Sequence, residues 1–553
     1  RNSGEVHETA MPLGGRNAAW LPILSLMWGL ASTAIGQARD SAGSPASSPA
    51  ASSDTPPTER ERMLLERIER LEHRLSEIEA SGATAPAARA AAPPASQVSA
   101  ASAPASASAL SSVSSPPASA QTDAVAQVET PAAEKSEPFA FADFSWLTGN
   151  SRQKESPLAG KVVSGEFRVD TAYTYSFNHP QDNTIGGSTE VFRHNELQLT
   201  ELGFGGDLNW KNVRARLLTQ FGMYSQTQPR NDASPGRGQY NLDSAYRYLG
   251  EAYGGYHIDA LNGINVDGGI FLSYIGLFSF YQFDNWAYQP SYVSSNTPWY
   301  FNGIRIQIYP SDKLKIEPWI INGWQSYGKF NKAPGVGGQV LWRPTGSLSI
   351  VSNNYWGTDT LGTPDRKRIH TDDSVQVKYY DQPGQFLNKL AATLTVDLGC
   401  EYGGGVSCTG GSANSPAQYF AGFMVYNRFW FHDDVYAVTV GGGEINNPGR
   451  YLVLLPPING ATAFSGTPYF PESPGYPFKA WDYSVTFDYM PRDFVTFRLE
   501  FNRRMASVPY FSGPGGVTPL GGNTGPPGSF VPGFTPDLVR GESRVTTAIL
   551  VKY

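Results

Sequence analysis

The chain has 553 residues, enough for several globular domains or one large barrel. Only 16 % of residues are charged against 13 % aromatic, with 58 Gly and 42 Pro, a balance that favours an all-β protein with aromatic girdles and many turns. The net charge of -7 is mild for this length and makes no case for a nucleic-acid partner.

The first residue is Arg, and Met11 is the candidate start. Arg16 precedes an apolar run from Trp20 to Ala31, and Gly36-Gln37-Ala38 supplies a small-x-small cleavage pattern. Residues 1–38 therefore read as a signal peptide region; the run falls short of the roughly 20 apolar residues a spanning helix needs. Residues 39–58 are a Ser/Ala/Pro-rich linker. In residues 59–79 the character changes. Leu64, Ile68, Leu71, Leu75 and Ile78 alternate four-three spacings among Glu and Arg, the seam of a short coiled coil. About three heptads are marginal alone, so the seam points to a larger oligomer. Residues 80–138 form a second Ala/Ser/Pro-rich linker, too poor in large apolar residues to bury a core and expected to be disordered.

Residues 139–553 carry the folded part. Trp299 to Trp324 sets its pattern: Tyr300, Ile304, Ile306 and Ile308 alternate with Gly303, Arg305 and Gln307. Pro310-Ser311-Asp312 is the expected turn, after which Leu314, Ile316, Pro318 and Ile320 alternate with Lys315 and Glu317. A period of two puts one set on each face of a strand. The same alternation recurs at Phe167 to Phe177, Trp481 to Tyr489 and Val495 to Phe501, giving about 16 strands. The connections switch regularly between long segments and brief turns, as in an antiparallel meander with all long loops at one end. A sheet in hydrocarbon cannot leave edge groups unpaired, so the first strand must meet the last. The expected fold is all-β: a closed antiparallel transmembrane β-barrel of about 16 strands, too wide for side chains alone to fill and therefore water-filled.

On those residues, the segment from Asp143 to Tyr553 resembles the outer-membrane β-barrel porin family of the OmpL-like type. The motifs that carry the resemblance are Asp143-Phe-Ser-Trp-Leu-Thr-Gly-Asn-Ser-Arg152, the aromatic stretch Leu277 to Asn285, and the hairpin Tyr309 to Phe330. Val545 to Tyr553 looks like the terminal assembly signal of such barrels, with Tyr553 where Phe is usual. The resemblance implies a passive diffusion channel for small hydrophilic solutes in the outer membrane of a Gram-negative bacterium. The coil would then lie in the periplasm, and outer-membrane lipids would surround the barrel. It also favours a trimer, held by coil and barrel together. It implies no cofactor.

Two sets of residues are candidates for solute handling. Phe278, Phe280, Tyr281, Phe283, Asp284 and Trp286 lie in the long connection 276–298. So many aromatics need an apolar place, either folded into the lumen as a constriction or packed over the rim against a neighbour. The second set is the inward charges Arg168, Asp170, Arg214, Arg216, Asp267, Arg305, Lys315, Glu317, Arg498 and Glu500. These line the pore or form ion pairs within it, and Arg305 and Glu317 are placed to bridge each other. The Arg366-Lys367-Arg368 run reads as loop charge. Cys400 and Cys408 flank a seven-residue Gly-rich loop and favour a local disulfide over a metal site, since no histidine pair lies nearby. An enzyme is the competing class, as is a barrel that only tethers the envelope. His179, His194, His257, His370 and His432 are the barrel-region histidines, and no Gly-x-Ser-x-Gly elbow or phosphate loop accompanies them.

Overall fold

A computed structural model describes residues 137–553 apart from 149–156, 188–189, 230–231, 233–237, 279, 330, 360–362, 411–416, 450–476 and 520–532. The signal region, the first linker, the coil and all but the last two residues of the second linker lie outside the described residues.

Sixteen strands close into one antiparallel barrel. In chain order they begin with β1 (Val163–Ser176), β2 (Leu197–Trp210), β3 (Val213–Thr219), β4 (Leu249–Ile258) and β5 (Ile264–Leu272). Next come β6 (Tyr300–Ser311), β7 (Leu314–Ile321), β8 (Gly335–Thr345), β9 (Leu348–Gly357) and β10 (Lys367–Asp381). The far wall comprises β11 (Leu387–Tyr402), β12 (Tyr419–Phe431), β13 (Tyr436–Asn447), β14 (Phe478–Arg492) and β15 (Val495–Ala506). A two-residue ladder, β16 (Phe511–Ser512) with β17 (Leu538–Val539), stands apart within the last long connection and has no counterpart in the sequence reading. The final strand β18 (Gly541–Lys552) returns to β1, in register from Arg168 opposite Lys552 to Ser176 opposite Arg544. That pairing removes the last open edge, which hydrocarbon demands.

Short turns gather at one end, here the turn end, and long connections at the other, the loop end. Lys211 and Asn212 join β2 to β3 with φ of 48° and 66°, the doubly left-handed turn whose twist suits a tight hairpin. Between β6 and β7 the sequence places the turn slightly early. Pro310 stays within β6, the register shifts between Ile308 and Ser311, and Asp312-Lys313 makes the turn. Proline needs no ladder partner at such an irregularity. The Arg366-Lys367-Arg368 run is also corrected: Lys367 opens β10, and Arg368 faces inward, paired with Glu401 at 2.8 Å.

The two faces separate cleanly. On β15, Phe497 and Leu499 are exposed on the outside while Thr496, Arg498 and Glu500 are buried inside. On β14, Trp481, Tyr483, Val485 and Phe487 face out, and Asp482, Ser484, Thr486 and Asp488 face in. This is the arrangement a lipid-embedded cylinder requires, apolar toward acyl chains and polar toward the axis. The tight packing lies inside the barrel, where residues from the long connections meet the inner wall.

Candidate functional site

The site is the lumen, built from wall and loop together. After β5 the chain leaves the sheet and crosses the interior before returning as β6. Inward side chains of distant strands hold its backbone. Arg498 donates to the carbonyls of Gln282 (3.1 Å) and Asn285 (2.9 Å). Arg428 donates to Trp286 O at 3.2 Å, and Arg504 to Pro290 O at 2.6 Å. The amides of Tyr288 and Gln289 donate to the Glu500 carboxylate, and Tyr292 N to Asp482 at 2.8 Å. Charged donors and acceptors aimed at an irregular backbone satisfy groups that neither strand nor water would meet.

Side chains complete the docking. Tyr288 Oη donates to Asp170 at 3.0 Å. Phe278 meets Tyr426 edge-on at 5.2 Å, and Trp286 meets Trp430 at 5.7 Å. Phe278, Phe280, Tyr281, Phe283 and Trp286 are all buried. The aromatic loop therefore lies in the lumen. β13 makes room for it: at Gly443 a Cβ would meet the carbonyl of Phe423 on β12 and stand 2.5 Å from Ser291 Oγ, so glycine suits both the close strand and the close loop. The run Gly441-Gly442-Gly443 was the available sequence signal, and alternation alone passes over it.

Asp284 is the charged tip of the loop. Lys552 of β18 donates to it at 2.8 Å and Arg168 of β1 at 3.1 Å. Burial alone would raise its carboxyl, but the Lys552 ammonium and the Arg168 guanidinium more than offset this and hold it at about 2.

All ten inward charges face the lumen, but they divide into two groups. Arg168, Asp170, Asp267, Glu317, Arg498 and Glu500 are buried under the loop or in ion pairs rather than solvated. Arg214, Arg216, Arg305 and Lys315 keep some contact with solvent, Arg214 most at 23 % of its side chain. Every member of this second group is a cation, and all four stand on β3, β6 and β7. Arg216 meets Glu251 and Glu166 at 2.7 Å and Asp207 at 2.9 Å. Asp207, 43 % exposed, was missed because it sits in a Gly-rich stretch of β2 with weak alternation. Arg305 bridges not Glu317 but Asp267 (3.0 Å), while Glu317 takes Lys315 (2.9 Å). Register explains the correction, since Arg305 lies opposite Trp319 and Glu317 opposite Gln339. The connection after β5 narrows the interior from the side of β12, β14 and β15, whose inward side chains hold it.

At the turn end, the segment before β1 lies across the mouth. Phe139 N donates to Asp312 O at 2.7 Å, Arg343 sits 4.9 Å over Phe139 and 4.7 Å over Phe144, and Trp146 Nε1 donates to Gly346 O at 3.0 Å. A cavity of about 510 Å³ opens between this strap and the wall, lined by Arg214, His257, Asn265 and Tyr309 among others. Cys400 and Cys408 are joined as a disulfide, their Cα atoms 5.3 Å apart. Among the described residues no cluster of ligating side chains could hold a metal.

A closed barrel with an apolar exterior, a charged lining and a loop across its lumen defines a porin-type channel of the outer membrane. The chain belongs to the family described as "Putative beta-barrel porin-2, OmpL-like", whose model matches residues 164–524. No curated protein matches the chain by sequence. Among solved structures it is similar to the outer membrane channel DcaP of Acinetobacter baumannii, with 11 % identity over 71 % of this chain and 97 % of that one and a TM-score of 0.42. It is also similar to the trimer form of OmpT from Vibrio cholerae (9 %, 71 % and 99 %, 0.40). The third is the anion-selective porin from Comamonas acidovorans (11 %, 71 % and 99 %, 0.40). At these scores the likenesses carry no weight beside the strand pairing and the family match.

Proposed function

We propose that the protein is a passive diffusion channel for small hydrophilic solutes, with a preference for anions. One observation carries this reading: among the ten inward charges read from the sequence, those that still meet solvent are the cations Arg214, Arg216, Arg305 and Lys315, while Asp267 and Glu317 beside them are buried; Asp207 and Glu166, which also meet solvent, are both tied to Arg216. Cations on the lining favour anionic solutes, and their acidic partners keep the preference mild. The role is passage, not catalysis. We propose further that the chain works as a trimer, with its coil at residues 59–79 in the periplasm. The heptad seam supports that arrangement.

Reconstitution of the full chain in planar bilayers tests the reading. Stepwise conductance is expected, with a reversal potential under a salt gradient on the anion side. Arg214→Gln with Arg216→Gln is expected to move that potential toward zero. Arg214→Gln alone is the milder variant, since Asp267 keeps Arg305 as partner. Unchanged potentials in both would remove these residues from the pore, and absence of steps would favour a barrel that only tethers the envelope.

A further inference from the structure

The outward residues near the middle of most strands are apolar, as at Phe204, Ile306, Val425, Val485 and Leu499. Strands β9 and β10 break this rule. Ser352, Asn354, Thr371 and Asp373 all face outward, and the register sets Asp373 opposite Ser352 and Thr371 opposite Asn354. The orientation is secure: Asp372 and Ser374, on either side of Asp373, are buried on the lumen face at 0 % and 2 % exposure. The Asp373–Ser352 pair is sixth of the ten that join these strands, so the patch lies at mid-height. Glu444 of β13 also faces outward, but only three residues from the strand's loop end, where water begins.

Within the patch the side chains bond along each strand. Thr371 Oγ1 donates to Asp373 at 3.0 Å, and Asn354 Nδ2 reaches Ser352 Oγ at 3.4 Å. These two bonds leave polar capacity on Asp373 and Asn354 facing the acyl chains, which offer neither donor nor acceptor. Gly338 lies beside Asn354 on β8 and adds no side chain, so a neighbour can approach the wall closely there.

We propose that the outward face of β9 and β10, centred on Asp373, is an interface with a second copy of this chain. The patch carries a carboxylate, an amide and two hydroxyls but no cation. A copy of itself therefore supplies donors to the carboxylate without bringing Lys or Arg into hydrocarbon. Apolar contact alone does not drive association in lipid, where tails are as greasy as leucine; a polar cluster at mid-depth gives both drive and register. The heptad seam of residues 59–79 is a separate reason for the chain to self-associate. The inference needs the barrel to lie in a membrane but does not depend on what it conducts.

The test uses the full chain in lipid vesicles, its native disulfide intact. A nitroxide is placed at Val375→Cys, the next outward residue of β10, and at Leu499→Cys as lipid-facing control. Collision with dissolved oxygen, read by power saturation, is expected to be several-fold lower at 375 than at 499. In the Asp373→Leu/Asn354→Leu background the two sites are expected to become equal, while heat-modifiable migration on electrophoresis shows the barrel still folded. Equal collision rates without those substitutions would make the face a lipid surface and overturn the proposal. Shielding that survives the double substitution would overturn the role of the patch. Shielding found in native membranes but absent from vesicles of the purified chain would assign the face to a different protein, and so overturn the second copy.

Discussion

Asp284 offers the sharpest perturbation of the lumen loop. Its carboxyl, ordinarily near 3.8, is held at about 2 in the docked loop by Lys552 and Arg168. At about 1.36 kcal/mol per pH unit, that difference favours docking by an amount on the order of 2 kcal/mol while the group is ionised. The side chain is only 16 % exposed, so solvent screening takes little from this figure. The sign follows from the lowered value: the contribution is complete above about pH 4 and is lost as pH falls toward 2. Asp284→Asn removes it at every pH, and Arg168 keeps Glu166 as a partner. The undocked population is then expected to rise by a factor on the order of thirty at neutral pH. In single-channel recordings this appears as time spent in a larger conductance level. The wild-type channel is expected to approach the variant's behaviour between pH 4 and 2, and the variant to show no such acid transition. Identical occupancy of the larger level in both proteins at pH 7, or the same acid transition in both, would refute the role given to Asp284.

Two further outcomes are expected. Trp146→Ala with Arg343→Ala removes the buried indole and the cation that hold the strap over the turn-end mouth; a loss of about 3 kcal/mol or more at Trp146 alone should free the segment. Conductance should rise and trypsin should cut before β1, with the barrel itself unaffected. Reduction of Cys400–Cys408 opens a small loop whose closure contributes about 2.5 kcal/mol by chain entropy. Limited proteolysis should then become faster between β11 and β12 only, with channel conductance unchanged.

What the sequence disclosed and what it withheld divide along one physical line. Strand existence, face and closure are local or nearly so. The alternation Trp481 to Tyr489 marks its strand with a period of two, and the need to pair every edge in lipid brings β1 to β18. Position along a strand is less local, so Pro310 read as a turn although the ladder runs past it through an irregular step. Ion-pair partners depend on register across strands, which a shift of a residue or two exchanges, and Arg305 accordingly found Asp267 in place of Glu317. The docking of the aromatic loop is the least local feature. Its anchors Arg428 and Arg498 lie 142 and 216 residues from the carbonyls they hold. No pattern within the loop distinguishes a home in the lumen from one on the rim. The distinction resides in the opposite wall, where buried arginines and the glycines of β13 form a berth that makes sense only when occupied. Arg428 and Arg498 share Asp488 of the wall, but without the loop carbonyls their remaining donors would be buried and unmet, so the wall and the loop need each other. The same reasoning applied to the outside singles out Asp373: a carboxylate where water cannot follow calls for more donors than Thr371 alone, and the proposed second copy supplies them.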